Sequence, residues 1–359
     1  DERMRVLRQW HQELYRAGWL GTHWPKEVGG RGLTVEHQLV FAGELARVRA
    51  PQPVGSIGLE VVGPTILSHG TDEQRLRFLP PLLAGEEVWC QGFSEPEAGS
   101  DLASLRTRGV VEGDHVVVNG HKVWTSWATN ADWCALLVRT DPEASRHSGI
   151  SYLLVDMQSP GITVEPIVML NGDAEFNEIF FDNVRVPMNN VLGSLGQGWA
   201  LAMDTLGWER AGYAIRRGQE LQTMYANLID GLRAEETRAD NLTELAVGRV
   251  YTQLRAFQAV SQRTARRLVA GDVPSSYDSV DKLLLGQAEQ QLTGAMLDLL
   301  GPNRTATVDV GHMNAENIVK SYLYGRAASV YGGSAQIQRT IIAERLLRLP
   351  RGRRHDNLD

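Results

Sequence analysis

The chain has 359 residues, of which 43% are hydrophobic, and carries a formal net charge of -7. A chain of this length and apolar content can bury a large core, and its length predicts two or three domains. The acidic balance argues against a general nucleic-acid-binding protein, which would present a basic face, and no apolar run approaches the roughly 18 residues that a membrane span needs.

The first quarter of the chain has a helical pattern. Apolar residues recur three and four positions apart from Met4 to Ala17, which predicts a helix with one apolar face, and Gly18 suits its end. The glycine-rich stretch 24–34 predicts a loop, and a second helix is expected to run to about Arg49.

A third helix is predicted from its start signal. Thr71 and Gln74 fit a capping box, in which the hydroxyl accepts from a free backbone amide and the glutamine reaches back. That helix is expected to end near Gly85.

From residue 88 to about 191 the pattern changes to short runs, apolar or alternating, that are bounded by Asp, Pro, Gly or Ser and are typical of strands. Asn119-Gly120 lies between two such runs and predicts a two-residue hairpin turn. Further strands are expected at 135–138, 150–155 and 162–168. The middle third is therefore predicted to be an antiparallel barrel or sandwich.

The last part of the chain is predicted to be a helical bundle that begins after Gly196-Gln197-Gly198. This tripeptide superficially resembles a dinucleotide fingerprint, but it lacks the third glycine and a surrounding βαβ unit, so we interpret it as a turn between domains. The charged run at 351–354 is interpreted as a solvated end. Long helices are expected at about 199–230, 241–270, 279–300, 314–330 and 334–347.

These patterns predict an α+β protein with an N-terminal helical domain at 1–87, a central β-domain at 88–196 and a C-terminal bundle at 197–359. Cys90 and Cys134 form no CxxC pair, which favours a reducing cytoplasm without disulfides. The histidines have no metal-ligand spacing, so no metal site is expected. Pattern and spacing alone leave the activity open.

Longer motifs identify a family resemblance. The segment Trp89–Asp101 reads WCQGFSEPEAGSD and resembles the flavin-binding signature of the acyl-CoA dehydrogenase family. Tyr331–Arg345 resembles a second family motif, Asn119–Ser126 the central-barrel hairpin, and Phe181–Pro187 the strand that leaves the barrel. The motifs lie in the family's order and the resemblance covers nearly the whole chain. The family fold is N-terminal helices, a central β-barrel and a C-terminal four-helix bundle, the same division that the pattern predicts.

The resemblance implies FAD as the cofactor. By resemblance, the turn from Gln91 to Ser94 runs along the flavin ring, the hydroxyls of Ser94 and Ser126 suit its polar edge, and Trp124 lies against it. Gly99 permits the close backbone approach that a phosphate-bearing ligand requires. The residues expected to bind FAD are Gln91, Gly92, Phe93, Ser94, Gly99, Ser100, Trp124, Thr125, Ser126, Ser334 and Gln336.

The implied reaction removes a poorly acidic proton beside the thioester carbonyl of an acyl-CoA, while flavin N5 accepts a hydride from the β-carbon. Many family members carry the base in a Tyr-Glu-Gly motif, and that position is Gly332 here. A second subset places it on a bundle helix directly before an arginine, which here reads Glu209-Arg210. Glu209 is therefore the predicted base, and Ser100, Arg210 and the Gly332 backbone N–H are predicted to contact the substrate.

Two family segments that hold the adenosine half of FAD from a neighbouring chain are missing. The stretch 231–242 has no Arg-x-Phe-Gly, and the residues from 301 on have no Gln-x-x-Gly-Gly-x-Gly. Some relatives without them pair with a second, different subunit, and others are homo-oligomers. A homodimer, a homotetramer and an α2β2 assembly all stay open.

Three hypotheses for the function follow. The first is a catalytic dehydrogenase that uses Glu209 and passes electrons to an electron-transfer flavoprotein or a similar acceptor. The second is a half-site or non-catalytic partner subunit, and the third is a flavin oxidase or monooxygenase on the same fold. Retention of Glu209 and Ser100 favours the first.

Overall fold

The chain forms two compact units, residues 1–219 and 220–359. The computed structural model describes residues 2–144, 146–234, 241–300, 309–310 and 313–350. Within these ranges, every helix is too short or too polar to cross a membrane. The three-domain division stays a prediction.

Some predicted features fall where the chain is not described. Residues 235–240 of the first missing-motif segment, residues 301–304 of the second and the charged run at 351–354 lie outside the described residues.

Four α-helices open the first unit, and local sequence sets their ends. They are α1 (Glu2–Arg16), α2 (Val35–Arg47), α3 (Gly63–His69) and α4 (Asp72–Ala84). The predicted capping box of α4 is confirmed, since the Thr71 hydroxyl accepts from Gln74 N at 3.2 Å and Gln74 Oε1 accepts from Thr71 N at 3.1 Å. Gly18 and Gly85 follow α1 and α4 with φ of 76° and 71°, which glycine adopts without strain.

A mostly antiparallel sheet follows these helices. Its strands are β1 (Trp89–Gly92), β2 (Arg108–Glu112), β3 (His115–Ser126), β4 (Trp133–Arg139), β5 (Ile150–Asp156), β6 (Ile162–Ile167), β7 (Phe176–Pro187) and β8 (Val191–Leu192). The order is β6-β7-β3-β2-β4-β5-β8, with β1 parallel to β4. Among the described residues no ladder joins β6 to β8, so the sheet is open. The expectation of a closed barrel was wrong in this respect. Short alternating strands are common to barrels, sandwiches and open sheets, so the pattern could not decide between them.

The hairpin turn between β2 and β3 lies at Gly113-Asp114, and the prediction at Asn119-Gly120 was wrong. Glu112 pairs with His115, which leaves a two-residue turn, and Gly113 has a φ of 62°. Strand β3 runs through Asn119-Gly120 with a register shift. A Cβ at Gly120 would lie 2.7 Å from Thr107 Cα, so this glycine permits a close backbone approach instead of a turn.

The sheet separates two apolar cores, because alternate side chains of a strand point to opposite faces. On β4, Ala135 and Leu137 join the cluster that contains the N-terminal helices and the first turns of the next helix. Their neighbours Cys134 and Leu136 belong to a second cluster within the sheet layer. The segment after β1 lies at the first of these cores.

The rest of the chain is mainly helical, as predicted. The elements are α5 (Gly198–Ala234), α6 (Asn241–Val269), α7 (Asp278–Leu299), β9 (Asp309–Val310), β10 (Met313–Asn314), α8 (Ala315–Gly325) and α9 (Ala335–Ile341). The glycine turn before α5 is tight, since Gly196 has a φ of 81° and a Cβ on Gly198 would lie 2.4 Å from the Ser151 carbonyl carbon. The helix expected at 314–330 ends at Gly325, and a 3₁₀ turn, Arg326–Ser329, follows it.

Candidate active site

The turn after β1 is fixed by apolar packing at its start. Phe93 is 5% exposed, and its ring meets Tyr152 edge-to-face with centroids 5.7 Å apart. A Cβ on Gly92 would lie 3.0 Å from Cys134 Sγ, so that side of Gly92 is filled by protein. The predicted ligand contacts of Gly92 and Phe93 are therefore limited to their backbones.

Hydrogen bonding brings two predicted flavin segments together. The Ser94 carbonyl accepts from Val123 N at 2.9 Å, which sets the turn after β1 against the part of β3 that carries Trp124, Thr125 and Ser126. The side chains of Gln91, Ser94 and Ser126 are half-buried. The two segments form one polar strip in the first unit.

A buried ion pair underlies this strip. The ammonium group of Lys122 is fully buried and donates to Glu95 Oε1 at 2.8 Å and to the Phe93 carbonyl at 3.0 Å. Glu95 also accepts from the backbone N–H groups of Arg106, at 2.6 Å, and Thr107, at 2.8 Å. One carboxylate thus holds three segments of backbone in place.

The electrostatics of this pair favour the ionised carboxylate. Burial raises the pKa of Glu95, but the charge of Lys122 and the donated hydrogen bonds outweigh burial, so the pKa lies below its ordinary value. Burial lowers the pKa of Lys122, and Glu95 opposes that shift. Three donors around Glu95 compensate the cost of burying its charge.

This pair was not predicted from the sequence. A signal was present in β3, where Val116 and Val118 point into the sheet-layer core and alternation places Lys122 on the same buried side. A buried lysine favours a carboxylate partner. The flavin motif offers three acidic residues, Glu95, Glu97 and Asp101, of which the structure buries Glu95.

Trp124 presents a flat aromatic surface at the strip. It is 59% exposed, has a φ of 61° and lies within the register shift between Lys122 and Thr125, outside the regular ladder. Thr125 is 1% exposed, and its Oγ1 has no hydrogen-bond partner among the described residues. A buried hydroxyl without a partner suits a ligand that supplies one.

The end of the motif is open. Gly99 and Ser100 are exposed. Among the described residues, chain neighbours aside, no atom lies within 4 Å of the position that a Cβ on Gly99 would take. With the exposed indole and the orphaned hydroxyl, this open backbone fits a flat aromatic ligand with polar edges and a phosphate-bearing tail. The donor set is therefore compatible with FAD.

Glu209 lies on a face of α5 that is turned towards the N-terminal helices. Its side chain is half-buried, as is that of Arg210. Four residues before it, Thr205 Oγ1 lies 2.9 Å from Thr65 Oγ1 of α3. Seven residues after it, Arg216 Nε donates to Glu60 Oε1 at 2.8 Å. Residues spaced by four and seven share a helix face, so Glu209 faces the segment 60–65 and not bulk solvent.

In the second unit, the Tyr331–Gly333 turn is held from both ends. Gly332 and Gly333 have φ of 60° and 84°, and both their carbonyls accept from Gln338 Nε2 at 3.1 Å. The Lys282 ammonium lies 4.5 Å from the centroid of the Tyr331 ring and donates to the Ala328 carbonyl at 2.8 Å. The turn that contains Gly332 is thus tightly held.

Two other predicted residues lie beside this turn. The Ser334 hydroxyl accepts from Ile337 N at 3.3 Å and so caps α9, which gives it a structural role whether or not it meets a ligand. Gln336 is exposed. A cavity of about 120 Å³ opens next to the turn. Its lining includes Lys282, Gly286, Gln290, Gly333, Gln338 and Arg339.

Sequence models of three known domains match the chain in order. They describe the N-terminal domain of acyl-CoA dehydrogenases over residues 1–86, the middle domain over 90–184 and the C-terminal domain over 196–347.

Individual relatives match over most of the chain. Acyl-CoA dehydrogenase IpdE1 of Mycobacterium tuberculosis (strain ATCC 25618 / H37Rv) is 42% identical over 354 residues, which cover 98% of this chain and 90% of that protein. Acyl-CoA dehydrogenase FadE34 of the same organism is 40% identical and covers 94% of this chain and 46% of its own length.

Solved structures agree with these matches. The steroid ACAD Tcur3481-Tcur3483 has a TM-score of 0.89 at 31% identity, covering 98% of this chain and 93% of that one. The ChsE4-ChsE5 complex from Mycobacterium tuberculosis has a TM-score of 0.85 at 31% identity, covering 97% and 91%.

Proposed function

Because the chain belongs to the acyl-CoA dehydrogenase family of flavin-dependent oxidoreductases, we propose that it binds FAD and dehydrogenates an acyl-CoA thioester between its α and β carbons, with Glu209 as the base. The observation that carries this assignment is the position of Glu209 on the inward face of α5, together with a glycine at 332. An electron-transfer flavoprotein or a similar acceptor would reoxidise the enzyme.

FAD would be held by the strip in the first unit. The exposed Trp124 indole would stack on the ring, and the Thr125 hydroxyl would gain the partner that it lacks among the described residues. Ser94 and Ser126 would meet the polar edge, and the open backbone at Gly99 would admit the phosphate-bearing part. Bound FAD would supply the acceptor for the hydride that leaves the β-carbon.

Glu209 would take the α-proton onto a carboxylate oxygen. Its half-buried position limits the water around the carboxylate, which favours direct proton transfer from the substrate. Arg210, the next residue on α5, would orient the substrate, and Ser100 is a further proposed substrate contact in the first unit. The Lys122–Glu95 pair would keep the flavin strip rigid during this transfer.

Glu209→Gln tests the base. The amide keeps the size of the side chain but has no basic lone pair, so we expect flavin binding to persist and flavin reduction by acyl-CoA to fall by roughly 10²- to 10⁴-fold or more. Stopped-flow absorbance of the flavin would measure it. Asp204→Asn is the matched control, because Asp204 is half-buried on the same helix and binds His69 at 3.0 Å. Unchanged reduction in Glu209→Gln would place the base elsewhere.

A second subunit is a separate proposal, favoured by the solved structures. Two of the similar structures pair two proteins, Tcur3481 with Tcur3483 and ChsE4 with ChsE5, and this chain lacks two family segments that hold FAD from a neighbouring chain. We expect the chain to bind FAD fully only as an α2β2 assembly with another family member. Purification alone and after co-expression with such a member distinguishes the cases: a fully flavinated protein alone would refute the requirement.

The acyl group is proposed to be long or ring-bearing. Relatives that carry the base on the helix and a small residue opposite handle branched, long or sterol-derived chains, and the similarity to a steroid ACAD supports the bulky end of that range. The rate at which each member of a panel of acyl-CoA esters bleaches the flavin absorbance would rank the acyl groups as substrates. Preference for short straight chains would contradict this part.

A further inference from the structure

A charged pair lies on the same face of α5 as Glu209. Arg216 follows Glu209 by seven residues, about 10 Å along the helix axis, and its Nε donates to Glu60 Oε1 at 2.8 Å. Both side chains are largely buried, at 16% and 18% exposed. A substrate whose α-carbon meets Glu209 and whose chain follows the helix would reach this pair.

The helix face between the two positions is uncovered at Gly212. This residue lies three residues after Glu209 and four before Arg216, so it borders both on one helix face. It has no side chain and, its own helix backbone and chain neighbours aside, no atom of the described residues lies within 4 Å of the position that its Cβ would take. Glu60, the partner of Arg216, is carried by the π-helical turn Gly58–Val62 before α3.

The polar end of this face has a chemical consequence. An unsubstituted hydrocarbon chain that ends against Arg216 and Glu60 would partly desolvate two charges and return no hydrogen bond. A ketone can accept from the guanidinium, and a hydroxyl can also donate to the carboxylate. A second carboxylate fits less well, because Glu60 already neutralises Arg216.

We propose that Glu60 and Arg216 determine specificity by recognising a neutral oxygen function, a hydroxyl or a ketone, about 10 Å from the α-carbon of the acyl group. This inference rests on the proposed function, since it takes Glu209 as the point at which the α-carbon binds. It adds that the acyl group is oxygenated at its far end.

The test compares decanoyl-CoA with 10-hydroxydecanoyl-CoA, which differ by one remote hydroxyl. Binding is measured by calorimetry in the Glu209→Gln background, where turnover does not interfere, using the protein with any subunit with which it assembles. We expect the hydroxylated ester to bind at least tenfold more tightly. In Glu60→Leu/Arg216→Leu, that preference should vanish or reverse while decanoyl-CoA binds as well or better.

Arg8→Leu/Asp132→Leu is the matched control, because this half-buried pair, 2.9 Å apart, also belongs to the first unit but lies on α1 and the segment before β4. It should keep the tenfold preference. Equal affinity for the two esters, binding of neither, or a preference that survives loss of Glu60 and Arg216 would each overturn the inference. Failure of the proposed function alone would look different. The hydroxylated ester would still bind more tightly than decanoyl-CoA, but neither ester would reduce the flavin of the unmutated protein.

Discussion

Lys122 is a fully buried charged residue, so its stability in the fold depends on compensating partners. Its ammonium group is fully enclosed, and within the described part of the chain it donates to Glu95 and to the Phe93 carbonyl. Removing the Glu95 charge would leave that ammonium with neutral oxygen acceptors and no counter-charge. The pair therefore acts as a unit, and its energetics are measurable by removing each partner and then both.

We expect Glu95→Gln to lower the free energy of unfolding by about 3–5 kcal/mol, because it strands a buried charge. Lys122→Met should cost less, since Glu95 keeps its two backbone donors, and the double variant should lose less than the sum of the singles. Urea unfolding measures all three.

The exposed pair Glu97 and Arg106, 3.1 Å apart, supplies the control. Glu97→Gln should change stability by less than about 0.5 kcal/mol, as surface pairs contribute little. Equal losses at Glu95 and Glu97 would contradict the importance of burial.

At the scale of single residues, the sequence predicted which residues of the flavin motif lie together, but not which of their side chains pack into the core. It placed Ser94, Trp124 and Ser126 beside one another, and the Ser94–Val123 hydrogen bond agrees with that. It could not indicate that the Phe93 side chain packs into the core, since an aromatic residue in a flavin motif is equally suited to a ligand. That distinction depends on Tyr152, 59 positions further along the chain, and so on tertiary packing.

At the level of elements, helices were more predictable than strand pairs. The capping box at Thr71 and the glycine at 85 bound α4 by local chemistry, and the structure keeps both. Strand partners depend on distant segments: Asn119-Gly120 is a strong local turn signal, but Thr107 approaches Gly120 so closely that glycine is needed inside a continuous strand.

The same substitution at two glycines tests the position of the hairpin turn. Gly113 has a φ of 62° and open space around its missing Cβ, so Gly113→Asn should cost less than about 1 kcal/mol, because asparagine tolerates this conformation. Gly120→Asn should cost more than about 2 kcal/mol, because a Cβ there meets Thr107 backbone at 2.7 Å. Thermal unfolding compares the two, and the reverse order would restore the hairpin at 119–120.

For the molecule as a whole, His11 and His23 contribute to the response to acid, and Asp281, whose pKa burial raises to about 6, opposes them. Burial lowers the pKa of His23 from 6.5 to about 4. His11 is fully buried, and burial lowers its pKa too, although the hydrogen bond to the Leu83 carbonyl opposes this. Its Nε2 lies 3.0 Å from that carbonyl and its Nδ1 accepts from Gly55 N at 3.4 Å, an arrangement that suits the neutral ring.

We therefore expect the contribution of these histidines to stability to fall as the pH drops from about 6.5 to 4. The unfolded chain takes up protons on these histidines in that window while the folded chain does not, so protonation favours unfolding. His23→Leu should remove on the order of 2–3 kcal/mol of the loss between pH 7 and pH 4. Urea unfolding followed by tryptophan fluorescence at several pH values measures the slope.

His37→Gln provides a control, because His37 is exposed on α2. It should leave the pH dependence as it is in the unmutated protein. An unchanged slope in His23→Leu would show that other groups dominate the acid response.

The left-handed conformation of Gly332 has a consequence for any side chain returned to this turn. With a φ of 60° there, a newly introduced glutamate would start with a backbone penalty of about 1–2 kcal/mol before it could act. On the proposal that Glu209 is the base, a carboxylate placed at 332 would therefore carry a conformational cost that the one on α5 does not.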